Sequence, residues 1–162
     1  MASVLVIGDV IDDIIVVPKE PIRTNTDTDS TITQTLGGSA SNIASWAASL
    51  GADVTFVGCV NSKDEFRVTE QFASYKVKTI LQLSDKPTGS LVVLVDGENR
   101  SMLTDRGANK ELDIKNSEKS DDSTNIKDSE YLDEMDESFS NINKSINFIV
   151  KTNWYYGITI FS

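Results

Sequence analysis

Two adjacent glycines, Gly37 and Gly38, stand between a polar alternating segment and an apolar helical segment, and they constrain the fold more than any other feature. The glycines are followed by Ser39-Ala40-Ser41 and then by Asn42. Adjacent glycines permit positive φ or a close backbone approach. The small polar residues after them are typical of a helix start, where backbone N–H groups lack helical partners. The sequence therefore predicts a backbone cradle at a helix N-terminus, with the amide of Asn42 beside it.

The segments around the glycines predict a strand–helix–strand unit. Residues 30–36 alternate in polarity, as in a half-exposed strand, and residues 54–60 form an apolar run typical of a buried strand. The helix between them ends at Gly51. Its predicted buried face consists of Ile43, Ala44, Trp46, Ala47 and Leu50. Because the apolar run at residues 4–8 is another buried strand, we expect a parallel sheet with a helical crossover.

Carboxylates follow the first buried strand. A second apolar run covers residues 11–17 and contains Asp12 and Asp13, and Asp9 precedes it. A charge beside buried strands is costly unless it is paired or hydrated. One interpretation is that Asp9 or Asp12 caps a turn. The other is that Asp13 points into a cleft and accepts hydrogen bonds from sugar hydroxyls.

The middle of the chain predicts a further helix and a group of strands. Residues 63–75 have an amphipathic helical pattern, and strands are predicted at residues 79–83, 89–95 and 101–104. The Asp96-Gly97 pair between the last two is a hairpin signal. We expect these strands to form a small secondary sheet with residues 30–36; the alternative is that all of them join the main sheet.

Composition narrows the classes of partner and compartment. The chain has 162 residues and a net charge of −10, which argues against nucleic acid and anionic membrane surfaces as partners. It has no His, and its one cysteine, Cys59, excludes an intrachain disulfide framework and fits a reducing compartment. No signal peptide and no membrane span is recognisable in the sequence. We therefore expect a cytoplasmic protein without a metal site of its own.

Acidic residues are concentrated late in the chain. Residues 110–147 carry 11 acidic and 5 basic side chains. Residues 113–145 are expected to be a largely disordered insertion or tail, with one amphipathic helix at 131–142. The segment is interpreted either as solvated disorder or as an acidic regulatory or partner-binding insertion. Residues 146–162 are apolar again and predict a further core strand, placed at 154–161.

Several spaced motifs agree in order with those of one family. They are the strand ending at Gly8-Asp9 with Asp13 after it, the Gly-Gly-x-x-x-Asn segment, the helix ended by Gly51, the step Pro87-Thr88-Gly89, and Asp105-Arg106-Gly107-Ala108-Asn109. In these features residues 3–112 resemble the N-terminal half of a ribokinase (pfkB) family carbohydrate kinase.

The resemblance implies a Rossmann-like α/β ribokinase fold, truncated, in which residues 1–112 form half of a kinase domain with a small β lid. The lid segments would be residues 11–17, 30–36, 89–95 and 101–104. The implied acceptor contacts are Asp13, Gly37, Gly38, Asn42 and Arg106. For Arg106 the alternative is a surface charge that pairs with Asp105 or with the acidic segment.

The sequence also departs from the pattern of that family. Asn61 and Arg67 stand where the family customarily has two glycines. If the backbone has positive φ at these positions, the replacements are unfavourable, because residues other than glycine rarely adopt it. The Gly-Ala-Gly-Asp motif that implies phosphate stabilisation and a catalytic base does not occur in the 162 residues. No catalytic residue is therefore assigned. ATP and Mg²⁺ are implied by the resemblance, but most of their sites are expected to be missing.

Three functional interpretations remain open at this stage. The chain is the acceptor-binding half of an ATP-dependent sugar or nucleoside kinase and is inactive alone. Alternatively, it is a non-catalytic module that binds a polyol or forms a homo- or heterodimer through its lid strands, whose edge invites pairing. The third interpretation is a non-functional gene fragment. Ribose, fructose, a keto-deoxy sugar acid and a nucleoside all fit the same glycine pair and Asp13.

Overall fold

The main sheet has five strands. The computed structural model describes residues 2–113, 148–153 and 157–161. The strands of this sheet are β1 (Ser3–Ile7), β4 (Asp53–Asn61), β5 (Lys78–Ser84), β8 (Phe148–Asn153) and β9 (Gly157–Phe161). Their order is β5-β4-β1-β8-β9, and all neighbours are parallel except the β8–β9 pair. The structure thus confirms the predicted parallel core.

Two helices connect the parallel strands on one side of the sheet. Helix α1 (Ser39–Ser49) leads into β4, and α2 (Glu65–Ser74) leads from β4 to β5. The core between them and the sheet contains the stacked rings of Phe56 and Phe72, whose centroids are 4.5 Å apart. The alanines Ala40 and Ala44 are fully buried, because small side chains let α1 approach the strands closely. A helical crossover within a parallel sheet is therefore confirmed, with β4, α2 and β5. The unit predicted at residues 30–36, α1 and residues 54–60 was wrong in its first strand, because residues 30–37 belong to a different sheet from β4.

The predicted buried face of α1 was wrong in two positions. Trp46 is 71% exposed and Leu50 is 84% exposed. The helix instead packs through Ala40 and Ala44 with Ile43, Ala47 and Ala48 around them. Hydrophobic periodicity placed large apolar residues on the predicted buried face. In the structure, the short distance between α1 and the sheet leaves room only for small side chains. Gly51 has φ +91°, as expected for the residue after a helix C-terminus.

A second sheet, called the lid sheet below, projects from the core. It consists of β2 (Ile11–Pro18), β3 (Ser30–Gly37), β6 (Gly89–Asp96) and β7 (Asn99–Asp105), in the order β3-β2-β6-β7. The expected secondary sheet is confirmed, except that the strand predicted at 79–83 is β5 of the main sheet. The α2 crossover places that strand parallel to β4, where it buries Leu81.

The lid sheet exposes more of its surface than the sequence predicted. The alternation in β3 predicted one buried face, but residues 31–35 are exposed throughout, and Ile32 is 64% exposed. All of β7 is exposed as well. The β6–β7 hairpin closes as predicted at Asp96-Gly97, where Gly97 has φ +58°.

The last two strands correct one prediction. The parallel neighbour of β1 is β8, not the segment at 154–161 that was predicted to be the next core strand. Only residues 157–161 of that segment are described, and they run antiparallel to β8. The short 153–157 connection allows only a hairpin, because a parallel pair needs a long crossover. Apart from residue 113, the segment at 113–145 that was expected to be largely disordered lies outside the described residues, as does the helix predicted at 131–142.

Candidate acceptor site at the hinge of the lid sheet

The lid sheet joins the core at a hinge that Asn109 ties together. Asn109 lies in a 3₁₀ turn (Gly107–Glu111) that follows β7. Its Nδ2 donates to the carbonyls of Val10 (2.8 Å) and Arg106 (3.0 Å), and its Oδ1 accepts from Val10 N at 3.0 Å. The side chain therefore fixes the β1–β2 connection against the end of β7. The sequence analysis named Asn109 only as part of a motif and predicted no role for it. Its position directly after Gly107-Ala108 is the one feature of the sequence that could have indicated this role.

Asp9 caps helix α1 from the end of β1. Its carboxylate accepts from Ser39 N at 2.9 Å and from Ala40 N at 3.1 Å, and its backbone carbonyl accepts from Ser41 N at 3.3 Å. These amides are among those that a helix leaves without internal partners. The sequence interpretation had Asp9 or Asp12 capping a turn; the structure shows Asp9 capping the start of a helix. Asp12 is paired elsewhere.

Asp13 lies against Gly37 at the start of α1. Its Oδ1 is buried and has no hydrogen-bond partner among the described residues. Burial raises the pKa of Asp13 above its ordinary value, and the negative charges of Asp9 and Asp12 raise this pKa further. A side chain at position 37 would overlap the carboxylate, which explains why glycine stands there.

Gly38 fits its position for two separate reasons. Its φ is +99°, a region that side chains disfavour. A Cβ at this position would also lie 2.8 Å from the carbonyl oxygen of Asp9. The pair Gly37-Gly38 therefore lets two carboxylates approach the backbone closely at the beginning of α1.

Asp12 belongs to a polar network on the other side of β2. Arg67 donates to both of its carboxylate oxygens at 2.8 Å and also lies 3.4 Å from Asp64 Oδ1. The Thr88 hydroxyl donates to Asp64 Oδ2 at 2.7 Å and accepts from Asn61 N at 3.0 Å. The network links the lid sheet to α2 and to the start of β6. Neither Asn61 nor Arg67 has positive φ, so the concern about these glycine replacements was unfounded.

Asn42 lies in a different environment from Asp13. It lines a cavity of about 380 Å³ beside α1, together with Ser45 and Trp46. Helix α2 contributes Gln71, Phe72 and Tyr75 to the same cavity. Asp13, Gly37 and Gly38 are not among its lining residues. The structure therefore brings Asp13 together with Gly37, with Gly38 adjoining, and places Asn42 on the flank of α1.

Arg106 begins the 3₁₀ turn at the hinge. Its backbone carbonyl accepts from Asn109 N at 3.0 Å and lies where a Cβ on Gly89 would meet it at 2.9 Å. Asp105, one partner considered for Arg106 from the sequence, has its Oδ1 3.8 Å from Lys110 Nζ. Arg106 thus follows the end of β7 and lies beside the start of β6, three residues before Asn109.

Two kinds of feature are absent from the part of the chain that the structure describes. Residues 2–113 and the two later strands contain no group of three or more His, Cys, Asp or Glu side chains arranged to hold a metal ion. Within the same ranges, no helix combines the length and apolar composition that crossing a bilayer requires.

Comparison with protein families identifies the fold and its lineage. The model of the pfkB family of carbohydrate kinases matches residues 1–141. The chain belongs to this pfkB family. No curated protein matched the chain.

Solved structures of pfkB-type kinases agree with this assignment. A ribokinase from Cryptococcus neoformans var. grubii serotype A, in complex with ADP, is 26% identical with a TM-score of 0.56 over 66% of this chain and 34% of its own. A fructokinase from Xylella fastidiosa is 27% identical with a TM-score of 0.52, over 64% and 32%.

A third structure shares the fold at lower identity. It is an Arabidopsis thaliana ribokinase complexed with ribose and ATP, 23% identical, with a TM-score of 0.54 over 67% of this chain and 38% of its own. The pfkB chain described here therefore spans about a third of the length of these kinases.

Proposed function

We propose that this chain supplies the acceptor-binding part of an ATP-dependent carbohydrate kinase, and that Asp13 holds the hydroxyl groups of the acceptor sugar. The observation that carries the proposal is the buried Oδ1 of Asp13, which has no hydrogen-bond partner within the described residues. A buried polar atom without a partner is costly, so native structures keep one only for a reason. A ligand hydroxyl would satisfy it.

The chemistry of the site fits a polyol. An ionised carboxylate only accepts hydrogen bonds, and sugar hydroxyls donate them. The carboxylate of Asp13 lies directly over the backbone of Gly37, so the acceptor would contact a side-chain oxygen and a stretch of backbone without side chains. Gly38 and Arg106 are proposed as further acceptor contacts. Asn42 stays a proposed contact from the family resemblance alone, since it lines a cavity that Asp13 does not line.

Most of the ATP and Mg²⁺ sites implied by the family are proposed to be missing from this chain. The first-turn amides of α1, one place where a phosphate could bind, donate to Asp9. We propose that residues 1–162 bind the acceptor but do not transfer phosphate by themselves, in a cytoplasmic setting. ATP-dependent phosphorylation of a sugar by the purified chain would contradict this.

Binding of the acceptor can be measured directly. We expect calorimetric titration to detect ribose or fructose binding to the full chain, and Asp13→Asn to weaken it at least about tenfold, since a charge-assisted hydrogen bond is lost. Asp96→Asn, at the exposed tip of the β6–β7 hairpin, is the matched control and is expected to bind normally. Equal binding by the Asp13 variant would contradict the assigned role.

A second function is supported by the surface of the lid sheet. Ile32, Met102 and Leu103 are exposed there, the last by 68%, and β3 and β7 form the two edges of the sheet. Exposed strand edges pair readily with other chains. We propose that the lid sheet pairs with a second copy or a full-length relative. Light scattering should then show a dimer that Leu103→Lys dissociates, and a concentration-independent monomer would contradict this.

A further inference from the structure

Side chains of the core hold the start of strand β2 at two points. Asn109 binds the backbone N–H and carbonyl of Val10, one residue before the strand begins. Arg67 binds the side chain of Asp12, the second residue of the strand, through both carboxylate oxygens. A contact at one point fixes the position of a strand, and a second contact farther along is needed to fix its direction. The two contacts together therefore determine the angle at which β2 leaves the core.

The other acidic partner of Arg67 anchors the neighbouring lid strand. Asp64, directly before α2, lies 3.4 Å from Arg67 and accepts a hydrogen bond of 2.7 Å from the hydroxyl of Thr88. Thr88 directly precedes β6, which pairs in parallel with β2 so that Ile11 lies opposite Gly89. The two central strands of the lid sheet are thus anchored side by side at the N-terminus of α2.

Asp12 and Asp13 are consecutive residues of β2 with different partners. Successive side chains of a strand point to opposite faces. Asp12 is turned towards Arg67, whereas the carboxylate of Asp13 lies over Gly37. Because the two residues share one peptide unit, a rotation of β2 that takes Asp12 away from Arg67 also moves the carboxylate of Asp13 relative to the start of α1.

We infer that Arg67 is a positioning residue for the acceptor, because it holds β2 at the angle that keeps Asp13 over Gly37 without itself touching the sugar. The inference rests on the proposed function and adds a residue that governs the affinity of the same site. Arg67 is 45% exposed and does not belong to the hydrophobic core, so its replacement leaves the core packing intact.

Sugar affinities of matched variants test the inference. The full chain is titrated calorimetrically with fructose and with ribose. We expect Arg67→Met, which keeps an unbranched side chain without charge, to weaken binding at least about threefold. Arg67→Lys should weaken it less, since lysine keeps the charge but not the two-pronged geometry. Lys19→Met is the matched control, because it breaks an exposed ion pair with Asp29 in the connection between β2 and β3, and it should bind as the wild type does.

A double variant separates positioning from a general loss of structure. If Arg67 acts through its contact with Asp12, then Asp12→Asn should weaken binding about as much as Arg67→Met. The double variant should then be no weaker than either single variant, because residues that act as one unit are not additive. Asp12→Asn and Arg67→Lys give the same comparison with the wild type if Arg67→Met does not fold.

A distance measurement does not depend on any sugar. Cys59, the only cysteine of the sequence, is buried, so spin labels attach at introduced cysteines. Asp96→Cys places one label at the tip of the β6–β7 hairpin, and Ala73→Cys places the other on the exposed side of α2. Pulsed electron paramagnetic resonance then gives the distribution of distances between the lid sheet and the core. We expect Arg67→Met to broaden or shift this distribution and Lys19→Met to leave it unchanged.

The outcomes separate the inference from the proposed function. If the wild type binds either sugar and Arg67→Met binds it equally well, the inference is overturned and the proposed function stands. An unchanged distance distribution in Arg67→Met, or additive effects of Arg67→Met and Asp12→Asn on affinity, overturns the inference in the same way. If the folded wild type binds neither sugar, both proposals fail.

Discussion

Arg67 and Asp12 form a two-pronged ion pair, with both guanidinium–carboxylate distances at 2.8 Å. The pair joins α2 of the core to β2 of the lid sheet. Asp64 adds a second carboxylate to Arg67, and together they raise the pKa of the guanidinium. The family resemblance implies a glycine at position 67, and a glycine has no side chain to form this ion pair. The connection therefore depends on the arginine that this chain has there. It fixes β2, the strand of the lid sheet that carries Asp13, to α2 of the core.

Removing the ion pair should loosen the lid sheet. We expect Arg67→Met to lower the free energy of unfolding by about 0.5–1.5 kcal/mol, because the pair is half-exposed and bidentate. Urea unfolding of the wild type, Arg67→Met, Asp12→Asn and the double variant measures the coupling. The Lys19–Asp29 pair, exposed at the far end of the lid sheet, serves as the control and should show almost no coupling. Additive single effects for Arg67 and Asp12 would contradict the connection.

Gly38 should be less replaceable than Gly51, a glycine with a similar backbone conformation. Gly38 and Gly51 have φ of +99° and +91°, but only Gly38 has atoms of Asp9 within contact of an added Cβ. Gly51→Ala is expected to cost about 1 kcal/mol through its backbone alone. Gly38→Ala should cost more, because Asp9 must also shift. Equal costs in urea unfolding would show that the approach of Asp9 is unimportant.

The cap provided by Asp9 should contribute measurably to stability. We expect Asp9→Ala to lower the free energy of unfolding by about 1–2 kcal/mol and Asp9→Asn by less, since asparagine also caps helices. Circular dichroism during urea unfolding gives both values. A stability of Asp9→Ala equal to that of the wild type would mean that water replaces the carboxylate at no cost.

Asp13 should make stability depend on pH in a characteristic direction. Its pKa in the folded chain is raised above the ordinary value of 3.8, so the folded state holds this proton more tightly than the unfolded state. The stabilisation that comes from protonating Asp13 is fully present below pH 3.8, the ordinary pKa. It is lost as the pH rises through the higher pKa of the folded chain. Asp13→Asn should therefore be more stable than the wild type at neutral pH, with the difference shrinking in acid. A constant difference across pH would contradict the raised pKa.

Sugar binding should show the opposite trend with pH. The acceptor needs the ionised form of Asp13, so affinity should fall as the pH decreases through its raised pKa. Calorimetric titrations with fructose between neutral pH and the lower limit of folding measure this. An affinity that does not change over that range would argue against a carboxylate contact.

The sequence predicted most helices and strands because they follow from hydrophobic periodicity and from the glycines and turn residues that end each element. The buried strands, the crossover through α1 and the Asp96-Gly97 hairpin each have a local pattern. The buried face of α1 has no such local pattern. The distance between the helix and the sheet determines that Ala40 and Ala44 face inward while Trp46 remains exposed. That distance is a tertiary quantity.

The candidate site divides in the same way. Asp13 and the glycine pair were proposed from their residue types and from the family resemblance, and in the structure Asp13 lies against Gly37. The choice between Asp9 and Asp12 as a cap was left open, because it depends on which carboxylate meets the start of α1 about 30 residues later. The ties that Asn109 makes to Val10 span 99 positions and carry no local pattern.

The most direct test of Asp13 as the acceptor-binding residue is an amide NMR titration of the full chain with fructose. We expect saturable shifts at Gly37, at Gly38 and at Asp13 itself, and their loss in Asp13→Asn, while Asp96→Asn shifts as the wild type does. Saturable shifts that persist unchanged in Asp13→Asn, or that occur only at residues distant from the start of α1, would contradict the account.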